Sequence, residues 1–273
     1  MKQTGFGVFA SSTGTADFNP DPSAGFTSDF LCNQLVKWSS SGDSGVWIYD
    51  PVKSWPTTKV SFFAYAPYSA GGGKTGVVGL SDPQNAGSPK LTLRMDADVD
   101  AQTDLLFADA SSTLNLVKSG MVQFAFRHAL SRIGFSCEVD NDVDPDSHVA
   151  LKGITFRSSR LPVAGDLDLC SGSWGNLVKE DMAYSLTVAG SDLIATGDGL
   201  SIADGKYLML IPSEGEVPVE ITVDYDVTRC LPRRRWSAGH WQFQSLLLQN
   251  LAYSVVFILK LFNPQSYKKY RRS

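Results

Sequence analysis

Apolar and polar residues alternate along much of this chain with a period of two, and that alternation constrains the fold more than any other feature. Val219, Ile221, Val223 and Tyr225 alternate with Glu220, Thr222, Asp224 and Asp226. Successive side chains of an extended strand point to opposite faces, so such a run buries one face and wets the other. Val122, Phe124 and Phe126 face one way, with Gln123 and Arg127 on the opposite side. After a break near Ser131 the pattern resumes at Ile133, Phe135, Cys137 and Val139. Leu91, Leu93 and Met95 predict a further strand, and Tyr207 to Ile211 another, introduced by a turn at Asp204-Gly205 and stopped by Pro212. Val60 to Ala66 is apolar on both faces, which predicts a central strand. No convincing amphipathic helix interrupts the pattern.

Strands spaced roughly ten residues apart and separated by turn residues predict antiparallel sandwiches of Greek-key type. The 24 glycines and 13 prolines supply the turns. A length of 273 residues accommodates two ordinary domains. The Ser, Thr and Asn cluster from Ser111 to Gly120 predicts a division near Lys118, giving sandwich domains over 1–118 and 119–273.

Charge is unevenly distributed. Residues 229–273 hold 9 basic side chains and no acidic one, whereas the other 228 residues hold 15 basic and 28 acidic ones. An acidic body argues against nucleic acid as a partner. Cys32, Cys137, Cys170 and Cys230 are isolated, without a CxxC pair, and are read as core thiols rather than disulfides or metal ligands. Lys2-Gln3-Thr4-Gly5-Phe6 follows Met1 without an apolar export segment, so the sequence as it stands is expected in the cytoplasm unless that segment has been trimmed.

Several fragments imitate catalytic or ligand signatures. Gly42-Asp43-Ser44-Gly45 copies a serine-protease nucleophile loop, but all three histidines follow it, the reverse of that family's chain order, so a polar hairpin loop is expected. Gly71-Gly72-Gly73-Lys74-Thr75 ends like a phosphate loop. Tyr68 stands where its first glycine belongs, and Gly76-Val77-Val78-Gly79 does not open a helix. Asp96, Asp98, Asp100 and Asp104 occupy four positions of a calcium loop, but Ala101 replaces its glycine and Phe107 its closing glutamate. Asp140, Asp142, Asp144 and Asp146 form a second acidic cluster. Solvated loops are expected at both, with weak calcium binding the alternative. His128 is in phase with Val122, Phe124 and Phe126 and is read as a hydrogen-bonded core residue. His148 and His240 have no zinc spacing. No catalytic, cofactor-binding or metal-binding residue is assigned, and no cofactor is expected. Leu246 to Phe262 is too short and polar for a membrane span, and its core, Leu251 to Leu261, reads as a strand.

Phe6 to Ala10, Phe30 to Val36, Trp47-Ile48-Tyr49-Asp50-Pro51-Val52-Lys53-Ser54-Trp55-Pro56 and Val60 to Tyr68 follow one another in an order that resembles the fimbrillin family. Gln102 to Ala108, Val122 to Ile133, Trp174 and Leu208 to Ser213 extend the match, which covers about residues 5–228. These are pilus subunits and anchors of Gram-negative gut and oral bacteria. The resemblance implies two transthyretin-like β-sandwich domains, lipoprotein export to the outer membrane, and a fimbrial stalk, anchor or tip subunit without enzymatic activity. It further implies partners that are other fimbrial subunits joined by strand exchange, with host proteins or glycans as further candidates and membrane contact only through a lipid anchor that this sequence lacks.

In polymerising members, cleavage after an arginine removes the first strand and a neighbour's strand fills the groove. Here the first arginine is Arg94, deep in the first domain, so the signal and first strand are expected to be missing from the sequence. Beyond Arg229 the match weakens, and either a shifted reading frame or a divergent tail accounts for it. The alternative function is a surface glycan-binding module using Trp38, Trp47 or Trp55 as a sugar platform. The competing reading of those tryptophans is core or strand-edge packing.

Overall fold

The computed structural model describes residues 1–41, 44–54, 56–70, 75–108, 122–139, 147–187, 193–195, 199–201, 207–213, 216–229, 236–237, 246–247 and 254–261. For 41, 136–139, 147–149, 193–201, 216 and 226 onward the description covers backbone alone. The described residues form strands and two single 3-10 turns. The strands are β1 Phe6–Gly14, β2 Leu31–Ser41, β3 Ser44–Tyr49, β4 Lys59–Ala66, β5 Val77–Leu80, β6 Lys90–Arg94, β7 Leu106–Ala108, β8 Phe126–His128, β9 Ser131–Val139 and β10 Ser147–Ser158. They continue with β11 Pro162–Asp168, β12 Trp174–Lys179, β13 Met182–Thr187, β14 Leu193–Ala195, β15 Gly199–Ser201, β16 Leu208–Leu210, β17 Glu216–Val217, β18 Glu220–Arg229, β19 Trp236–Ser237, β20 Leu246–Leu247 and β21 Ser254–Leu261. The chain is therefore all-β, as its alternation predicts. None of the described helices is long and apolar enough to cross a membrane.

Two compact units divide the chain. The first comprises Met1–Met95, Thr103–Leu130 and Pro162–Val178, and the second Asp96–Gln102, Ser131–Leu161 and Lys179–Ser273. A single cut near Lys118, a residue outside those described, does not produce these units. Residues of β11 pair with β6 in full register, Ala164↔Arg94 through Asp168↔Lys90, which returns a late segment to the first unit. Thr92 Oγ1 donates to Asp166 Oδ1 at 2.6 Å across 74 residues of chain. Local periodicity carries no information on pairing at that separation.

In the first unit a six-stranded sheet runs β3-β2-β1-β4-β7-β8, and a four-stranded sheet runs β12-β11-β6-β5. The register of β1 on β4, Gly7↔Tyr65 through Ala10↔Phe62, puts Gly7, Phe9, Phe63 and Tyr65 on one face and Phe6, Val8, Ala10, Phe62 and Ala64 on the other. Both faces of β4 are buried, which is why Val60 to Ala66 reads as apolar on both sides, and β4 is a central strand as expected. The four-stranded sheet buries Leu91, Leu93, Val163 and Leu167. At Gly172, in the turn between β11 and β12, an added Cβ would meet the Phe107 ring of the six-stranded sheet at 2.2 Å. The two sheets of this unit are thus packed face to face there.

A polar pin fixes one end of this packing. Asn33, at φ 44°, sits where β2 bulges against β1, and its Nδ2 donates to the Ser69 carbonyl at 2.9 Å. The Tyr65 hydroxyl lies 2.6 Å from Asn33 Oδ1 and 2.9 Å from the Ser69 carbonyl, and it accepts from the Ser69 N–H at 3.2 Å. Burial pushes the Tyr65 phenol up to about 12. An unfolded tyrosine ionises near pH 10 (about 10), so between roughly pH 10 and 12 only the unfolded chain releases this proton, and stability falls as pH rises. The contribution is complete below about pH 10 and amounts to at most about 2–3 kcal/mol. Tyr65→Phe should remove this part of the alkaline slope, as read by denaturant titrations of both proteins at several alkaline pH values.

In the second unit, β10 pairs with β13 and β14 along one edge and with β18 along the other. Val219, Ile221, Val223 and Tyr225 are buried, which is the face the alternation selects. β9 pairs antiparallel with β15 and β16. β21 is a strand, as its sequence predicts, but it runs parallel to β9, Ser254↔Arg132 through Leu261↔Val139. This pairing departs from the all-antiparallel expectation.

Candidate functional site

The face of the six-stranded sheet that does not carry Tyr65 holds a cluster of apolar and aromatic residues. Phe6, Val8, Ala10, Leu31, Val36, Val60, Phe62, Ala64, Ala66 and Ala108 form its buried floor. Phe30, Trp47, Tyr49, Leu106, Val122, Phe124 and Phe126 pack against it partly buried. Phe6 is the hub, with edge-on ring contacts to Trp47 at 5.0 Å, Phe126 at 5.4 Å and Phe124 at 5.7 Å. Edge-to-face pairs at such separations add specificity to area burial.

Part of the cover is an extended segment. Val122, Phe124 and Phe126 are half-buried while Gln123, Ala125 and Arg127 are exposed, so the predicted alternation holds across residues 122–127. Among the described residues the ladder of this segment on β7 comprises Leu106↔His128, Phe107↔Arg127 and Ala108↔Phe126. The cover segment is therefore tied to the sheet by a three-residue strand and by apolar side chains.

His128 differs from expectation. The register places it on the aromatic face, but its side chain is 61% exposed and its Nδ1 lies 2.7 Å from Asp104 Oδ2. The alternation gives the correct phase, yet β8 is an edge strand and the apolar floor ends before position 128. Arg127, on the other face, stacks 4.9 Å over the Phe107 ring.

The tryptophans of the alternative reading pack on one another. Trp38 and Trp47 are register partners on β2 and β3, with ring centroids 5.2 Å apart. An added Cβ at Gly45 would meet the Trp38 ring at 2.5 Å, and Lys2 Nζ lies 4.3 Å from the ring centroid. This is strand-edge packing. Trp55 lies outside the described residues.

β2 and β3 pair as far as Ser41↔Ser44, and Gly42-Asp43 between them lies outside the described residues. Strand β5 begins where a phosphate loop needs its helix, and residues 71–74 are likewise outside. Asp96 Oδ1 accepts from Asp98 N–H at 2.9 Å, and Asp98 Oδ1 from Asp100 N–H at 3.0 Å, capping a 3-10 turn. Among the described residues no group of three or more His, Cys, Asp or Glu could hold a metal ion. Asp140–Asp146, Cys230 and His240 fall outside them, and His148 is described only as a β10 backbone position.

The reading of the cysteines as core thiols fails at two positions. Cys32 is exposed on β2, and Cys170 is half-buried in the turn after β11, where Asp168 Oδ1 accepts its N–H at 2.9 Å. Desolvation, then the Asp82 carboxylate, raises the Cys32 thiol above its ordinary value, away from thiolate chemistry.

The first unit is thus a pair of stacked sheets whose apolar face is partly covered by an extended segment. A family profile described as fimbrillin-like matches residues 1–243, past the charge change at Arg229. The chain belongs to the fimbrillin-like family, one of structural, non-enzymatic proteins. Fimbrium subunit Fim1C of Phocaeicola vulgatus is 30% identical over 161 residues, a match covering 55% of this chain and 41% of that protein. The match thus spans less than half of that relative's length. A fimbrial protein from Bacteroides vulgatus shares the fold, with a TM-score of 0.72 at 20% identity, covering 94% of this chain and 89% of that one.

Proposed function

We propose that this chain is a structural subunit of a fimbrium at the cell surface, serving in its stalk, anchor or tip, and that it joins its neighbours by strand addition. One observation carries the reading. The aromatic face of the six-stranded sheet has a buried apolar floor, while residues 122–126 cover it with alternate side chains and little backbone pairing. An incoming extended strand offers the same alternate side chains together with main-chain hydrogen bonds along β7, so it competes with a cover whose described ladder is three residues long. Host proteins or glycans are contacts that such a subunit meets at the cell surface.

Processing after Arg94 is incompatible with this scheme, because Arg94 lies inside β6, paired with Ala164, and its N–H is held by the Gly76 carbonyl at 2.9 Å. Cutting there would open the four-stranded sheet. The gene should be expressed in a host that exports fimbriae, and the cells examined by electron microscopy with an antibody to this chain. Label along, at the base of, or at the end of filaments is the expected result and assigns the role. Filaments that form without the chain and never carry it refute the reading.

A further inference from the structure

A sheet edge leaves a row of backbone donors and acceptors open, and proteins blunt such edges with shortness, bulges, charge or kinks. The first unit has four described sheet edges. β8 is three residues long and exposes Arg127 and His128. β5 is four residues long, with a register shift between Val77 and Gly79. β12 carries Asn176 at φ 48° and ends on Lys179. β3 has none of these devices. It runs six residues without charge or proline, and its ladder to β2 is unbroken from Val36↔Tyr49 to Ser41↔Ser44. Its Val46 is 63% exposed and its Ile48 49% exposed, both on the face opposite Trp47 and Tyr49.

We propose that β3, at the opposite edge of the six-stranded sheet from β8, is a second strand-pairing edge, and that it takes β3 of another copy of this chain, antiparallel across a two-fold axis. The sequence Ser44-Gly45-Val46-Trp47-Ile48-Tyr49 is self-complementary in that arrangement. Centred on Trp47, it sets Val46 against the other copy's Ile48, and Gly45 against its Tyr49. Each cross-strand pair then joins apolar to apolar or small to large, and no like charges within β3 meet. An isologous contact of this kind uses one patch twice. Its area is small, so the association is weak and belongs to lateral contact between subunits held close by other means.

The test is sedimentation equilibrium of the chain over a wide concentration range, beside a Val46→Lys/Ile48→Lys variant and a Val46→Glu/Ile48→Glu variant. Both positions point into solvent, so the thermal midpoints of the variants should match that of the parent. The parent is expected to show a monomer–dimer equilibrium. Each variant sets like charges across the axis and should weaken it by about tenfold or more. An equimolar mixture of the two variants should recover a dimer, because the charges then oppose each other. A parent that stays monomeric, variants that dimerise as well as the parent, or a mixture that fails to recover the dimer would each overturn the proposal. None of these outcomes depends on whether filaments form.

Discussion

Replacing Phe6 by alanine is expected to lower the stability of the first unit by about 3–5 kcal/mol, the range for truncating a buried aromatic residue. Phe6 is 4% exposed, and its ring meets Trp47, Phe124 and Phe126 edge-on. Truncation leaves a cavity under the cover segment and removes the contacts that hold it. Phe124→Ala should be milder, about 1–2 kcal/mol, because that ring is half-buried and part of its area already meets water. The two substitutions should be non-additive, with a coupling of about 0.5–1.5 kcal/mol. Urea denaturation of the two single variants and the double variant measures all three quantities. Additivity would mean that residues 122–126 do not pack on Phe6 in solution.

The second large effect is expected at Gly7. A Cβ at this position would lie 2.3 Å from Tyr65 Cε1, 2.7 Å from Tyr65 Cζ and 2.9 Å from Asn33 Oδ1. The ring cannot swing aside freely, because its hydroxyl is held by Asn33 and Ser69 and the residue is fully buried. Gly7→Ala should therefore incur an overpacking cost of about 1–3 kcal/mol and, if the ring shifts, roughly 1–3 kcal/mol more for unsatisfied polar groups. Tyr65→Leu in the same chain removes the obstructing phenol. The double variant should lose less stability than the two single losses added together. Equal and additive losses would mean that the glycine serves some purpose other than clearance for this ring.

Much of the fold was legible locally. Val60 to Ala66 announced a strand covered on both faces, and it occupies the middle of a six-stranded sheet. The alternation through Val219 to Tyr225 selected the correct buried face. What periodicity could not supply was the partner of each strand. The pairing of β11 with β6 joins residues 70 to 78 positions apart, and nothing near Leu167 names Leu91 as its neighbour. The same limit explains His128. Its phase was right, but whether a position in phase is covered depends on how far the neighbouring strands extend, and β7 and β8 are short. Cys32 was misjudged for a related reason. It follows the buried Leu31 on β2, where a strand residue points to the other face, and that face is open there. The aromatic face itself is visible only in pieces: Phe124 fits the alternation, Phe6 and Trp47 stand in segments that carry the family resemblance, and only the sheet order brings their rings together.

The proposed strand addition exchanges the cover of the aromatic face for a strand from another subunit. Hydrogen exchange on the free chain and on assembled filaments measures this directly. The account expects amides of residues 122–125 to exchange faster in filaments, while β7 gains protection from a new ladder. Filaments in which residues 122–128 keep the protection they have in the free chain, with β7 unchanged, would contradict it.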